Sequence, residues 1–417
     1  MFFDKIFGQN RLEMKKGQKI LYSAGMLLMF WAVFDGILAY ILPVLITDLG
    51  YTATQMGLLI ASSNIFGALF DFVLAKFITN TNYRRLFLVI YGLCFIYPLL
   101  LWQAKTIPLF LISMSIWGLY GDLQTFAQFD FVNRRIKKEN YSQSVGVMDV
   151  FKCLGYLIAP IVAGLVVVKT IDFFPFSLSL SFLLISLIFY LWLIQLSPKR
   201  DSAEYDQTPK YAKYNFFKEF KIIKSVGKIL WPVLLFNILL HVFDSAIWTI
   251  GPLFAEEIGA NFKDFGGYFM AAYMLPSVSM GWLVGSLCRR FGKKKTAMAS
   301  FFLSCLLMIP ISFFEFPWVI IIFMLVSSVG SSLAWPAIRS AYSDYINESH
   351  CYSKEIEGLH DFSSNIGYII GPIFGGMVAD WVGVSNLFAI MAVAGIIIVE
   401  ILFLVTPKHI SVVIHRE

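Results

Sequence analysis

Charge is scarce in this chain of 417 residues: Asp, Glu, Lys and Arg together make up 14% of it. A soluble domain carries about 25%. Apolar residues reach 58% and the mean hydropathy is +0.72, too greasy for a water-facing surface and far too apolar for disorder. A two-domain cytosolic enzyme is thereby excluded, although length alone would have suited one. Histidine is scarce as well, with five copies (His241, His350, His360, His409, His415) and no H-x-x-x-H pair. The five cysteines (Cys94, Cys153, Cys288, Cys305, Cys351) have no C-x-x-C spacing, which argues against metal and disulfide frameworks. A nucleotide-binding P-loop is lacking, so direct ATP coupling has no support. No connection between apolar runs exceeds about 35 residues, which leaves no room for a soluble catalytic domain. The chain is not expected to be an enzyme, to hold a cofactor or to bind nucleic acid.

What is present is phenylalanine, tryptophan and long apolar runs, with 41 Phe and 10 Trp. A membrane span needs about 20 mostly apolar residues. Twelve runs qualify: 20–47, 54–77, 86–103, 108–132, 146–168, 173–196, 229–254, 265–288, 296–314, 317–345, 357–381 and 385–406. The expected fold is an all-α integral membrane protein with twelve transmembrane helices in two six-helix bundles, 20–196 and 229–406. Residues 1–19, basic and amphipathic, read as an interfacial segment leading into a retained span. Residues 197–228 read as a polar linker whose second half forms an amphipathic helix, and 407–417 as a tail.

Basic residues set the orientation. With both termini in the cytoplasm, the outer loops hold only Lys105, Lys169 and Lys263 of the 33 Lys and Arg, and 28 fall on the inner side. That asymmetry predicts cytoplasmic termini.

The halves repeat. V-F-D-G-I-L-A-Y-I-L-P in span 1 returns as V-F-D-S-A-I-W-T-I-G-P in span 7, placing Asp35 and Asp244 at an offset of 209. Each is followed eight residues later by a proline, Pro43 or Pro252. In spans 5 and 11, Asp149 with Gly155, Tyr156, Pro160 and Gly164 returns as Asp361 with Gly367, Tyr368, Pro372 and Gly376, at an offset of 212. Duplicated six-span halves are a signature of secondary transporters.

The sequence G-S-L-C-R-R-F-G-K-K, from Gly285 through Arg289 and Gly292 to Lys293 and Lys294, resembles the motif G-x-x-x-D-R/K-x-G-R/K-R/K of the major facilitator superfamily. Arg289 stands where that family has Asp, and the first-half copy is reduced to the stretch ending in Arg84 and Arg85. Asp71, four residues before Ala75, is the candidate substitute acid. The stretch Gly367-Tyr368-Ile369-Ile370-Gly371-Pro372-Ile373-Phe374-Gly375-Gly376 is similar to the family's G-x-x-x-G-P-x-x-G-G motif. Drug/proton antiporters carry it in span 5, where this chain has a partial copy around Pro160 with Ala159 and Ala163. The resemblance covers the whole chain. It implies a transporter that alternates access between two bundles, with spans 1, 4, 7 and 10 lining the cavity.

Those four spans carry Asp35, Asp122, Asp244 and Arg339, one each. Ionisable groups inside a span are expensive and usually functional. Asp35 and Asp244 lie ~24 Å along their helices, near mid-membrane. Asp35, Asp244, Asp122 and Asp149 are the proton-coupling candidates. Gln124, Lys152, Tyr156, His241, Trp248, Trp335 and Arg339 are the cavity candidates. Asp71, Arg84, Arg85 and Asp361 join the two motifs as gate candidates. Each has a plainer reading as helix packing or, for Asp149 with Lys152, as an ion pair.

The function expected is secondary active transport of a small organic solute, proton-coupled, with export suggested by the antiporter motif. The alternatives are a proton symporter importing a sugar or metabolite, and an uncoupled facilitator. The energy source is a proton or sodium gradient, the partners are solute and membrane lipid, and the expected form is a monomer in a bacterial inner membrane.

Overall fold

A chain in lipid has no water to satisfy its backbone, so each crossing must pair its own N–H and C=O groups. The computed structural model, which describes residues 11–77, 82–136, 140–166, 171–197, 216–258, 265–349 and 352–407, is accordingly helical, with no strand among those residues. The helices are α1 (Arg11–Asp48), α2 (Ala53–Phe77), α3 (Tyr83–Gln103), α4 (Ile107–Arg135), α5 (Tyr141–Val166), α6 (Phe174–Leu196) and α7 (Phe216–Ile258). Then come α8 (Phe265–Ser279), α9 (Gly281–Phe291), α10 (Lys293–Met308), α11 (Pro317–Glu348), α12 (Ser353–Val382) and α13 (Val384–Val405). A 3₁₀ turn, Ile309–Ser312, follows α10.

Ten of these helices are long and apolar enough to cross a membrane, and the bent pair α8–α9 makes an eleventh. α4 is long enough at 29 residues, but Asp122, Gln124, Gln128 and Asp130 lower its apolarity. These account for the twelve runs of the sequence. Three features stand out at the helix boundaries. Residues 11–19 are helical and continuous with α1, and the rest of the expected N-terminal segment lies outside the described residues. α7 runs 43 residues without a break, so the amphipathic stretch before span 7 belongs to that span's helix. Span 8 is broken at Met280 by a bend of 61°. Pro276 lies one turn earlier, and its carbonyl accepts from the Met280 amide at 2.8 Å. The central linker lies largely outside the described residues.

Two compact units emerge, Met1–Leu45 with Ser62–Lys210, and Ile46–Ala61 with Tyr211–Glu417. The second unit therefore includes the end of α1 and the start of α2, a short segment from the first six spans. Asp380 on α12 holds it, accepting from the Ala53 and Thr54 amides at 3.0 and 2.8 Å. A carboxylate at a helix N-terminus satisfies amides that have no partner inside the helix.

In the first unit the core is built on fully buried tyrosines, Tyr83, Tyr97, Tyr120 and Tyr190 among them. Tyr190 donates to the Arg84 carbonyl at 2.6 Å, and Tyr91 bonds the Ser186 hydroxyl at 2.7 Å. In the second unit phenylalanines fill the core. Phe301 meets Phe236 and Phe243 edge-on, and the rings of Phe254, Phe269 and Phe388 all contact one another.

Candidate functional site

In the first unit, α1 brings Asp35 into a ring of donors at 6% exposure. From α4, Trp117 Nε1 donates to Oδ1 at 3.1 Å and the Tyr120 hydroxyl to the same oxygen at 2.7 Å. From α5, the Tyr156 hydroxyl donates to Oδ2 at 2.8 Å. Tyr97 on α3 backs this ring, stacked on Trp117 at 6.1 Å and edge-on to Tyr120 at 5.6 Å. Charge-assisted bonds of this kind are the stronger class in a medium of low dielectric.

A chain of polar side chains runs beside it. Lys152 Nζ lies over the Trp31 ring at 5.5 Å and donates to Gln124 Oε1 at 3.0 Å. The Gln124 amide donates to Gln128 Oε1 at 3.1 Å, and the Gln128 amide reaches Asp149 Oδ1 at 3.5 Å. Asp149 and Lys152 are thus connected through two amides of α4. Asp122, also on α4, lies against α2, where a methyl group on Gly67 would come within 2.5 Å of its carboxylate.

In the second unit, Asp244 on α7 is half-buried. It accepts from the Tyr273 hydroxyl of α8 at 2.6 Å and from the Tyr368 hydroxyl of α12 at 3.3 Å. His241, buried one turn earlier, has Nδ1 2.7 Å from the Asn237 carbonyl. A carbonyl only accepts, so Nδ1 carries the proton. The imidazole meets Trp335 and Tyr368 edge-on at 4.5 and 4.8 Å. This is the setting of a satisfied core histidine. Trp248 is half-buried one turn past Asp244. Arg339 is exposed, with its guanidinium 5.9 Å from the Trp335 ring.

The gate candidates separate. Gly292 has φ +87°, a left-handed conformation that favours glycine, and caps α9 and α10 together. Lys293 follows and donates to Asp344 Oδ1 at 2.6 Å and to the Ser340 carbonyl at 3.1 Å. Gly285, Arg289 and Arg85 are exposed. Arg84 bonds the Ser197 carbonyl and, through Nε, the Tyr83 hydroxyl at 3.4 Å. Asp361 is exposed, its carboxylate 3.2 Å from His360 Nδ1. The side chain of Asp71 lies outside the described residues.

The glycine motif is a packing device. A methyl on Gly367 would overlap His241 Cβ, one on Gly371 the Ser245 hydroxyl, and one on Gly376 the Ala53 carbonyl. Pro372 presents its carbonyl to Gly57 of α2. One face of α12 thus fits α7 and another fits the start of α2. Small residues permit such close approach where no hydrophobic force drives helices together. In the first unit Gly155 meets the Met29 carbonyl, and Gly36 meets Ala159, the residue before Pro160.

Sequence reasoning missed the second donors to the two acids, Trp117, Tyr120 and Tyr273, because no local pattern points across helices. Gln128 was findable, four residues after Gln124 on the same face. So were Asp130 and Asp344, 214 residues apart, each tying the end of one helix to the start of another. Asp130 Oδ2 accepts from the Tyr83 amide at 2.7 Å and pairs with Arg134, just as Asp344 holds Lys293.

The family model of the Major Facilitator Superfamily matches residues 23–353 and 270–416. The chain belongs to the major facilitator superfamily. It is a transporter and not an enzyme, and a multi-pass membrane protein. Among its relatives is the multidrug resistance protein MdtG of Enterobacter lignolyticus (strain SCF1), 22% identical over 299 residues, spanning 70% of this chain and 68% of the relative. MdtG of Citrobacter koseri (strain ATCC BAA-895 / CDC 4225-83 / SGSC4696) is 21% identical over 301 residues, 70% of each chain. Among solved structures, the nucleoside transporter NupG superposes with a TM-score of 0.71 over 93% of this chain and 98% of its own, at 14% identity. A bacterial homolog of the human lysosomal transporter Spinster gives 0.70 over 95% and 96%, at 12% identity. The two structural likenesses establish the fold alone.

Proposed function

We propose that this superfamily member is a secondary active transporter that expels a small organic solute by alternating access, coupled to proton entry. One observation carries the reading. Asp35 and Asp244 stand at the same place of the repeat, inside apolar bundles, and each is held by the tyrosine of the paired helix, Tyr156 or Tyr368. Acids in such places cost folding energy, and a repeated pair of them marks a place where at least one is retained for what it does. Export is supported by the multidrug resistance relatives. The orientation proposed is termini-in, in a bacterial inner membrane, on the strength of the Lys and Arg asymmetry. The protein needs no cofactor in this reading, because the ion gradient supplies the energy.

A second reading, proton-driven import of a polar solute, is favoured by the Lys152–Gln124–Gln128–Asp149 chain, which offers amide donors and acceptors suited to a hydroxylated or heterocyclic ligand. NupG, a nucleoside transporter of the same fold, makes nucleosides a class to test.

The test is a thermal-shift screen of the purified protein against lipophilic cations, nucleosides and sugars, followed by transport of the stabilising compound in proteoliposomes. An imposed pH gradient should drive accumulation in the direction opposite to proton flow for export, and with it for import. Equal rates with and without the gradient would leave an uncoupled facilitator and sink both coupled readings.

A further inference from the structure

Repeat symmetry gives Asp35 and Asp244 the same position, yet their surroundings are built differently. Asp35 has both oxygens engaged, Oδ1 by Trp117 and Tyr120 and Oδ2 by Tyr156. It is 6% exposed. Trp117 Nε1 can only donate, so Oδ1 stays an acceptor, and a proton on Oδ2 would compete with the Tyr156 hydroxyl for that oxygen.

Asp244 is more open. It is half-buried and takes two donors, of which Tyr368 is the longer at 3.3 Å. Tyr273, the other, also borders a small cavity of about 10 Å³ lined with Phe243, Trp335, Ser304, Ser327 and Ser331. That is room for about one water. Ser327 and Ser331 spend their protons on the carbonyls of Ser304 and Ser328, at 2.9 and 3.0 Å, so their oxygens remain as acceptors. The space is mostly apolar, with Leu240, Phe301 and Met324 among its walls, and its three serines are the groups the Tyr273 hydroxyl can turn toward when Asp244 takes a proton. The titratable groups around Asp244 are His241 on its own helix, Tyr273 from α8, Tyr368 from α12 and Arg339 from α11, which acts on Tyr368.

We propose that Asp244, and not Asp35, takes up and releases the coupled proton, with Tyr273 as its positioning residue, while Asp35 is a fixed anchor of the first unit. The assignment rests on the proton-coupled reading above.

The experiment uses the full chain in proteoliposomes and reads two quantities: accumulation driven by a pH jump, and counterflow exchange without a gradient. The probe is the stabilising compound from the thermal-shift screen. Asp244→Asn should lose pH-driven accumulation while counterflow survives at a reduced rate. Asp35→Asn should lower thermal stability, with the folded fraction still driven by pH. In case Asp35→Asn does not fold, Tyr273→Phe and Tyr156→Phe remove one donor from each acid. The first should shift the pH midpoint of transport and the second should leave it in place. Loss of coupling in Asp35→Asn with Asp244→Asn still coupled, or a pH midpoint that moves with Tyr156→Phe alone, overturns the assignment and leaves proton coupling standing. Absence of pH-driven accumulation in the unmodified protein overturns the underlying reading, and this assignment with it.

Discussion

The Tyr156 hydroxyl donates to Asp35 Oδ2 at 2.8 Å, and its repeat counterpart Tyr368 donates to Asp244 Oδ2 at 3.3 Å. The same pair of helices in each half therefore presents an acid and a tyrosine to each other. A bond to a charged group is worth about 1.5–3 kcal/mol, and a longer one less. Tyr156→Phe should accordingly lower the melting temperature in detergent more than Tyr368→Phe does. The reverse order would mean that the two tyrosines are held by their packing and not by the acids.

The polar chain of the first unit gives a second test. Gln128→Leu breaks it in the middle, taking an acceptor from the Gln124 amide and a donor from Asp149. A buried group stripped of its partner costs about 1–3 kcal/mol. The expected result is a clear loss of thermal stability, with Gln128→Glu milder because it still accepts from Gln124. If Gln128→Leu melts at the unmodified temperature, the chain is not a structural network.

Asp130 and Asp344 occupy matching positions but hold different things. Asp130 accepts from the Tyr83 amide at the start of α3 and pairs with Arg134, with side chains 18% and 25% exposed. Asp344 pairs with Lys293 at 46% and 32% exposure. Exposed ion pairs contribute about 0–1 kcal/mol, whereas a lost helix-start acceptor costs about 0.5–2 kcal/mol. Asp130→Ala should therefore destabilise more than Asp344→Ala, and only the second effect should vanish in 1 M salt. Equal effects in thermal melts at low salt would contradict this.

Most of the architecture was legible in the sequence, because apolar run length and the offsets of 209 and 212 are one-dimensional signals. The break of span 8 was not, since Pro276 lies in an apolar run like those through which Pro160 and Pro372 pass without breaking the helix. Nor was the assignment of Ile46–Ala61 to the second unit, which depends on Asp380 reaching residues more than 320 positions away. Of the candidate site, the acids and Tyr156 were visible as repeated letters. Trp117, Tyr120 and Tyr273 were not, because which aromatic ring faces an acid is decided by helix rotation and neighbours, and many aromatic residues compete for the role.

The repeat also explains why the glycine motif is complete in α12 and partial in α5. Where α12 approaches α7, Gly371 faces Ser245; where α5 approaches α1, Ala159 faces Gly36. Ser245 and Gly36 are 209 residues apart and Gly371 and Ala159 212 apart, so these are the same contact with the glycine on opposite sides. One small partner suffices, and each half has placed it on a different helix. Gly371→Ala then puts a methyl group onto the Ser245 hydroxyl and 2.5 Å from the Val242 carbonyl. Overpacking of this kind costs about 1–3 kcal/mol. Ser245→Gly in the same chain recreates the arrangement of the first half and should recover part of the loss. Recovery stays incomplete, because the Val242 carbonyl remains and the Ser245 bond to the His241 carbonyl, 2.6 Å, is gone. Gly358→Ala, also on α12 with nothing within 4 Å of the new methyl, is the control, expected neutral or stabilising by ~0.5–1 kcal/mol. Melting temperatures of the three variants and the unmodified protein in one detergent decide it. If Ser245→Gly deepens the damage of Gly371→Ala instead of relieving it, the two positions do not share one contact, and the mirrored placement of the glycine is coincidence.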